Sequence, residues 1–271
     1  MQLRTAWTTF GSGPLVVLIH GLGLDRRMWR RQVPRLVSAG HRVFVCDLLG
    51  HGRSDGPRQP GGGYSVAELA ESLTAALDEA DIGPAAFVGF SLGGAVALWL
   101  ALSSPDRVAK LVLASTSAWM GPEADAVFTT RAAAVEAHGV EVLVQPAIQR
   151  WFTPEFMRAH NAEVEEYTVL LRENNPYGYA AACRSLAAFD VRDRLRDVHC
   201  PTLVLVGDHD QATPSAMARD LATNICGARL EILGPAGHLV TEECADRINE
   251  RIISFLATVP DAQRDGTDWE S

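Results

Sequence analysis

The sequence predicts an α/β protein, built on a mostly parallel, doubly wound sheet into which a helical cap is inserted. Three observations point there. Short apolar runs alternate with helix-length segments, as in a sheet whose parallel strands are joined by crossover helices. The alternation stops near residue 119 and resumes near residue 202, and the stretch between is helical by composition. Each apolar run also ends in a loop rich in glycine and in His, Asp or Ser, at the strand ends where such sheets bind ligands. A chain of 271 residues suits one large domain with an insertion. The boundaries expected are 1–118 with 197–258 for the core, 119–196 for the cap and 259–271 for a loose polar tail.

Taken in order, residues 3–10 read as an antiparallel edge strand, turned by Gly11-Ser12-Gly13-Pro14. Leu15-Val16-Val17-Leu18-Ile19 is apolar throughout, as expected of a strand buried on both faces. A helix over 28–39 and a strand over 43–46 follow. Ser65 with Glu68 three residues on forms a capping box, which starts a helix running to about Ala80. Strands at 85–88 and 110–115 flank a helix that stops before Pro105. The cap reads as four helices, 124–138, 140–151, 154–174 and 177–189. Most of its aromatics are expected to form its own core. A minority, Phe128 and Trp151 among them, are expected to line a pocket between cap and sheet. Strands at 202–206 and 229–233 complete the sheet, Thr213 and Pro214 read as N-cap and first turn of a helix, and a last helix spans 242–257.

Composition narrows the chemistry. A net charge of −9 argues against nucleic acid or an anionic membrane as partner. Lys110 is the only lysine and precedes an apolar run, which leaves Schiff-base chemistry without a nucleophile. Five scattered cysteines, no secretory segment and no bilayer-length apolar run predict reduced thiols in a cytoplasmic protein. No Gly-Lys pair forms a phosphate loop, and Gly21-Leu22-Gly23 lacks the third glycine of a dinucleotide fingerprint, so no cofactor is expected.

The remaining motif is Gly89-Phe90-Ser91-Leu92-Gly93, a serine with glycine two positions before and two after, between an apolar strand and an apolar helix. This is the nucleophile-elbow pattern, in which the strained corner residue presents its side chain at the strand tip. The pattern alone fits a helix cap equally well. Later strand-end loops add Asp210 and His238, giving the order nucleophile, acid, base. Ser91 would attack, His238 would carry the proton, and Asp210 would fix the imidazole tautomer. Asp208 competes for the acid role; Asp210 is preferred because it lies further into the loop. The backbone N–H groups of Leu22 and Leu92 are the expected oxyanion donors. His20 is expected to brace its loop, and Asp47 to Ser54 to shape a turn. Asp208-His209-Asp210 has no further ligand at metal-site spacing, so no metal is expected.

These motifs, with His20-Gly21-Leu22-Gly23, Asp47-x-x-Gly50-His51-Gly52-x-Ser54, Gly207-x-x-Asp210-x-x-Thr213-Pro214 and Gly237-His238, resemble the α/β-hydrolases over nearly the whole chain. The resemblance implies an eight-stranded sheet and a Ser-Asp-His triad, and it favours Asp210 over Asp208. Arg150-Trp151-Phe152-Thr153-Pro154, the spacing from Arg131 to that Arg-Trp pair, and Gly178-Tyr179-Ala180-Ala181-Ala182-Cys183 are similar to segments of 3-oxoadipate enol-lactonases of aromatic catabolism. Those enzymes often carry Asn-Ser where His20-Gly21 stand here. The resemblance implies a small carboxylate-bearing lactone or related ester as substrate, with Arg131, Arg150 or Arg184 meeting the carboxylate and Trp151 beside it. Rival readings are carbon–carbon bond hydrolysis or perhydrolysis on the same scaffold, and a ligand-binding receptor with little turnover.

Overall fold

The computed structural model describes residues 3–258. Strands β1 (Ala6–Phe10), β2 (Leu15–Ile19), β3 (Arg42–Asp47), β4 (Ala85–Phe90), β5 (Val108–Ala114), β6 (Thr202–Gly207) and β7 (Arg229–Leu233) form one sheet, in the spatial order β1-β3-β2-β4-β5-β6-β7. Only β1 runs antiparallel, against β3; the other pairs are parallel. The all-apolar runs occupy the centre: every residue of β4 and β6 is buried, while β1 is half-exposed at the edge. The resemblance implied eight strands, and seven are present among the described residues. Residues 3–5 leave the predicted edge strand because their backbone is tied elsewhere. Arg4 donates to Asp55 Oδ2 and accepts from the Asp55 N–H, 2.9 and 3.0 Å.

The helices are α1 (Val33–Ser38), α2 (Val66–Glu79), α3 (Leu92–Ser103), α4 (Ala124–His138), α5 (Glu141–Trp151), α6 (Pro154–Ala159), α7 (Asn161–Arg172), α8 (Pro176–Ala187), α9 (Ser215–Asn224), α10 (Val240–Glu243) and α11 (Ala245–Leu256). Helices α4 to α8 lie between β5 and β6 in the chain, and the ends of that insertion meet: Val191 N–H donates to Ala118 O at 3.0 Å. The capping box at Ser65 and Glu68 forms as expected and starts α2. Three predicted helices are broken. The first is a 3-10 turn over Arg26–Arg31 followed by α1, with Pro34 in the first turn of α1. The third cap helix divides into α6 and α7 at His160 (φ −131°), and the last divides into α10 and α11 at Cys244 (φ −118°). Lys110 Nζ closes the end of α11, donating to Phe255 O at 3.1 Å and Leu256 O at 2.6 Å. The tail predicted at 259–271 lies outside the described residues.

Two buried histidines tie the loop after β2 to the loop after β3. His20 donates Nδ1–H to Gly21 O at 2.8 Å, which leaves Nε2 to accept the Leu48 N–H at 2.8 Å. His51 reciprocates: Nδ1–H goes to Leu49 O at 3.1 Å, and Nε2 accepts the Gly23 N–H at 3.2 Å. Both rings therefore need their neutral form. Asp47 completes the brace, its Oδ1 accepting from Arg26 N–H and its Oδ2 from Arg53 N–H, each at 2.9 Å. The polar loop from Asp47 to Ser54 is thus structural support, as its glycines suggested.

Burial, reinforced by the neighbouring His20, pushes the His51 imidazole down to about 3. An unfolded histidine titrates near 6.5, so on acidification the unfolded chain takes up this proton first. The contribution is complete above about pH 6.5 and is lost as pH falls toward 3. Denaturant unfolding of His51→Gln between about pH 4 and 6 is expected to show a pH slope shallower by about 1.4 kcal/mol per unit than the parent, one proton's worth. An unchanged slope would mean that His51 is not held neutral.

Candidate active site

The site is built at the strand C-termini, beginning with the reversal between β4 and α3. Ser91 sits at this corner with φ 52° and ψ −115°, a positive φ that only a surrounding framework sustains in a non-glycine residue. That framework is present. Ser91 N–H donates to Ala114 O at 2.9 Å, and Ser91 O accepts from Thr116 Oγ1 at 2.7 Å and from Gly94 N–H at 2.9 Å. The flanking glycines permit the reversal. A Cβ on Gly89 would strike the Gly93 carbonyl and lie 2.6 Å from Gly94 Cα, while one on Gly93 would strike the carbonyls at the end of β2. The end of β2 is thereby pressed against the start of α3, which brings Leu22 and Ser91 to one cavity. Neither Leu22 nor Leu92 donates its backbone N–H to a protein acceptor among the described residues, so both donors remain available.

The loop after β6 delivers Asp210 and the loop after β7 delivers His238. His238 Nδ1 lies 2.9 and 3.0 Å from the two Asp210 oxygens, and both side chains are buried. Asp210 also accepts from Ala212 N–H (2.9 Å), Thr213 N–H (2.8 Å) and Thr213 Oγ1 (2.9 Å). Burial by itself would raise this carboxyl; the facing His238 and the donors from Thr213 outweigh it and hold Asp210 below the usual carboxylate range. With Nδ1–H committed to Asp210, His238 keeps Nε2 free. Ser91 and His238 line the same cavity without a direct hydrogen bond between them, a spacing common at sites that tighten on substrate. Thr213 is not the cap of α9, which has Pro214 at that position; its hydroxyl and N–H are taken by Asp210.

Asp208 has a different task. Its Oδ1 accepts from Ala236 N–H at 2.9 Å, bracing the loop that carries His238, and from the exposed His209 at 2.8 Å. Asp208, His209 and Asp210 therefore do not converge on one point, and no group of three metal-ligating side chains occurs among the described residues.

The cavity above Ser91 measures about 460 Å³ and is walled on one side by the inserted segment. Phe128, Arg131, Arg150 and Trp151, all singled out from the sequence, line it together with Tyr179. Arg184 does not. It bonds Glu136 at 2.7 Å and Gly62 O at 3.0 Å, so its charge is spent within the scaffold. Arg131 and Arg150 meet no carboxylate within salt-bridge distance among the described residues. Burial and the neighbouring Arg131 charge lower the Arg150 guanidinium below its ordinary value. Tyr179, Met120 and Gln211 also face the cavity and were not assigned to it from the sequence. Tyr179 lies one residue after Gly178 in a quoted motif, the one signal that marked it; Met120 and Gln211 stand in loops whose course no periodicity records.

Known proteins agree with this architecture. The profile of the alpha/beta hydrolase fold matches residues 14–243. The 3-oxoadipate enol-lactonase 2 of Acinetobacter baylyi is 33% identical, with 92% of each chain covered. The enol-lactonase of Burkholderia xenovorans superposes with a TM-score of 0.89 at 30% identity, covering 94% of this chain and 97% of its own. A thermophilic esterase from Thermogutta terrifontis, solved with malate bound, gives 0.88 at 32% identity, covering 94% and 93%. Among the described residues no helix is long and apolar enough to cross a membrane. With its mostly parallel sheet, its serine at the strand-to-helix corner and these relatives, the chain belongs to the α/β-hydrolase family and is a hydrolase.

Proposed function

We propose that the protein is a serine hydrolase that opens a small carboxylate-bearing enol-lactone, of the 3-oxoadipate enol-lactone kind, or a related ester, through an acyl-enzyme. The observation that carries this reading is the pair of guanidiniums, Arg131 and Arg150, without a carboxylate partner in the cavity that holds Ser91 and His238. Two half-buried guanidiniums without a salt-bridge partner, in a cavity whose lining carries one carboxylate, Glu123, make a receptor for an anion. The enol-lactonases and the malate-bound esterase among the relatives support the same substrate chemistry.

Ser91 Oγ attacks the lactone carbonyl while His238 Nε2 takes its proton. The carbonyl oxygen, now an oxyanion, is met by the N–H groups of Leu22 and Leu92. Asp210 stays ionised, holds the Nδ1–H tautomer and stabilises the imidazolium. Collapse breaks the ring C–O bond, His238 returns the proton to the departing enol oxygen, and the enol relaxes to the ketone. A water deprotonated by His238 then attacks the acyl carbon and releases Ser91. The carboxylate of the substrate sits on Arg131 and Arg150, against Trp151 and Phe128.

Consumption of 3-oxoadipate enol-lactone, beside a simple aryl acetate, tests the reading. Ser91→Ala is expected to lose kcat on the order of 10⁴-fold or more while keeping its fold. Retained turnover would place the nucleophile elsewhere. Asp210→Asn is expected to cost far more rate than Asp208→Asn, because only Asp210 faces the imidazole of His238; the reverse order would exchange the two roles.

Arg150→Gln is expected to raise KM for the lactone by about tenfold to a hundredfold, the loss of a charge-assisted hydrogen bond. KM for the uncharged acetate should hardly move. Equal effects on both substrates would remove the carboxylate from Arg150.

A further inference from the structure

The loop that carries His238 is fastened to the end of helix α5. Leu239 N–H donates to Trp151 O at 2.9 Å, joining the residue after the base to the last residue of α5. Beside it, the Glu243 carboxylate spans the same gap. Its Oε1 accepts Gly237 N–H at 2.9 Å, from the residue before the base. It also accepts Thr153 N–H at 3.2 Å, and its Oε2 accepts Thr153 Oγ1 at 2.6 Å. The approach is close enough that a Cβ on Gly237 would lie 2.8 Å from Trp151 O and 3.0 Å from Glu243 Oε1. Arg150 and Trp151, three and two residues before Thr153, line the substrate cavity. The adjacent Glu242 fastens a second cap element, bonding Tyr167 Oη at 3.0 Å and both Arg30 and Arg31.

We infer that Glu243 is a positioning residue for the reaction: it locks the backbone just before His238 to the cap segment that follows Arg150 and Trp151, alongside the Leu239–Trp151 bond just after it, so that base and substrate-holding wall form one rigid unit. This rests on the serine-hydrolase reading above and adds a residue to it. The carboxylate touches neither substrate nor imidazole; it acts through the Gly237 and Thr153 backbone. Its two oxygens gather three donors from chain segments far apart in sequence, which neither a water nor a shorter side chain at this position reproduces. Displacing a base by about 1 Å costs on the order of 10²-fold in rate.

The test is steady-state hydrolysis of both the enol-lactone and the aryl acetate by Glu243→Ala, Glu243→Gln and Thr153→Val, with Ser91→Ala as reference and thermal melting as the check on folding. Glu243→Ala is expected to lose kcat on the order of 10²-fold on both substrates alike, with KM held. Glu243→Gln, which keeps an accepting oxygen for Gly237 and an amide for the rotatable Thr153 hydroxyl, should restore most of it. Thr153→Val, which removes one leg of the bridge, should fall between and decides the matter if Glu243→Ala does not fold. A normal kcat with only a lowered melting point would overturn the inference, as would a rise in KM confined to the lactone or a glutamine as damaging as alanine. Activity surviving in Ser91→Ala would instead overturn the serine-hydrolase reading itself.

Discussion

The structure depends on how closely the chain can reverse between β4 and α3. Only Ser91 separates Phe90 at the strand end from Leu92 at the start of α3, and that is possible only because Gly89 and Gly93 carry no side chain. The same missing atoms let the end of β2 lie against the first turn of α3. From this one approach follow the positive φ of Ser91, the exposure of its side chain to the cavity, and the nearness of the Leu22 loop. The histidine brace is its counterpart one strand away. His20 and His51 exchange backbone bonds between the β2 and β3 loops, so the loop that carries Leu22 is fixed from both sides. Backbone groups held this firmly need no reorganisation when charge develops beside them, which is where such donors gain most of their effect.

Electrostatics then divides the labour. The chain as a whole carries −9, a field that repels an anionic substrate at long range. Arg131 and Arg150 reverse that sign locally, at the wall of the cavity that holds Ser91. Asp210 supplies a buried negative charge beside His238, and that facing histidine, with the donors of Thr213, keeps it ionised against its own desolvation. Asp208, two residues earlier, spends its charge on the surface His209 and on Ala236. Two carboxylates in one loop thus do different work because one faces inward and the other outward.

Much of this was legible in the sequence. The apolar runs gave six of the seven strands nearly to the residue, and the order Ser91, Asp210, His238 marked three loops that the sheet brings to one edge. Local chemistry was legible too, as in the Ser65–Glu68 box. What failed were features set by partners distant in sequence. The first strand is shortened by Asp55. Thr213 reads as a helix cap until Asp210 claims its donors. Arg184 and Arg150 look alike in the sequence, and only the proximity of Glu136 separates a scaffold ion pair from a cavity wall. The breaks at His160 and Cys244 interrupt helices whose pattern is continuous and contains no Gly or Pro at the break. The bridge from Thr153 to Glu243 spans 90 residues and leaves no local trace.

If Ser91 forms a covalent ester with the substrate's acyl group, as proposed above, a covalent probe of serine nucleophiles captures it. The protein is treated with an organophosphonate ester, with and without prior saturation by the enol-lactone, and the adduct is located by intact-mass and peptide mass spectrometry. One adduct per chain is expected, on the peptide containing Ser91, slowed by the lactone and absent from His238→Ala over the same interval. An adduct on any other residue, or labelling of Ser91 that neither His238 nor the lactone influences, would contradict it.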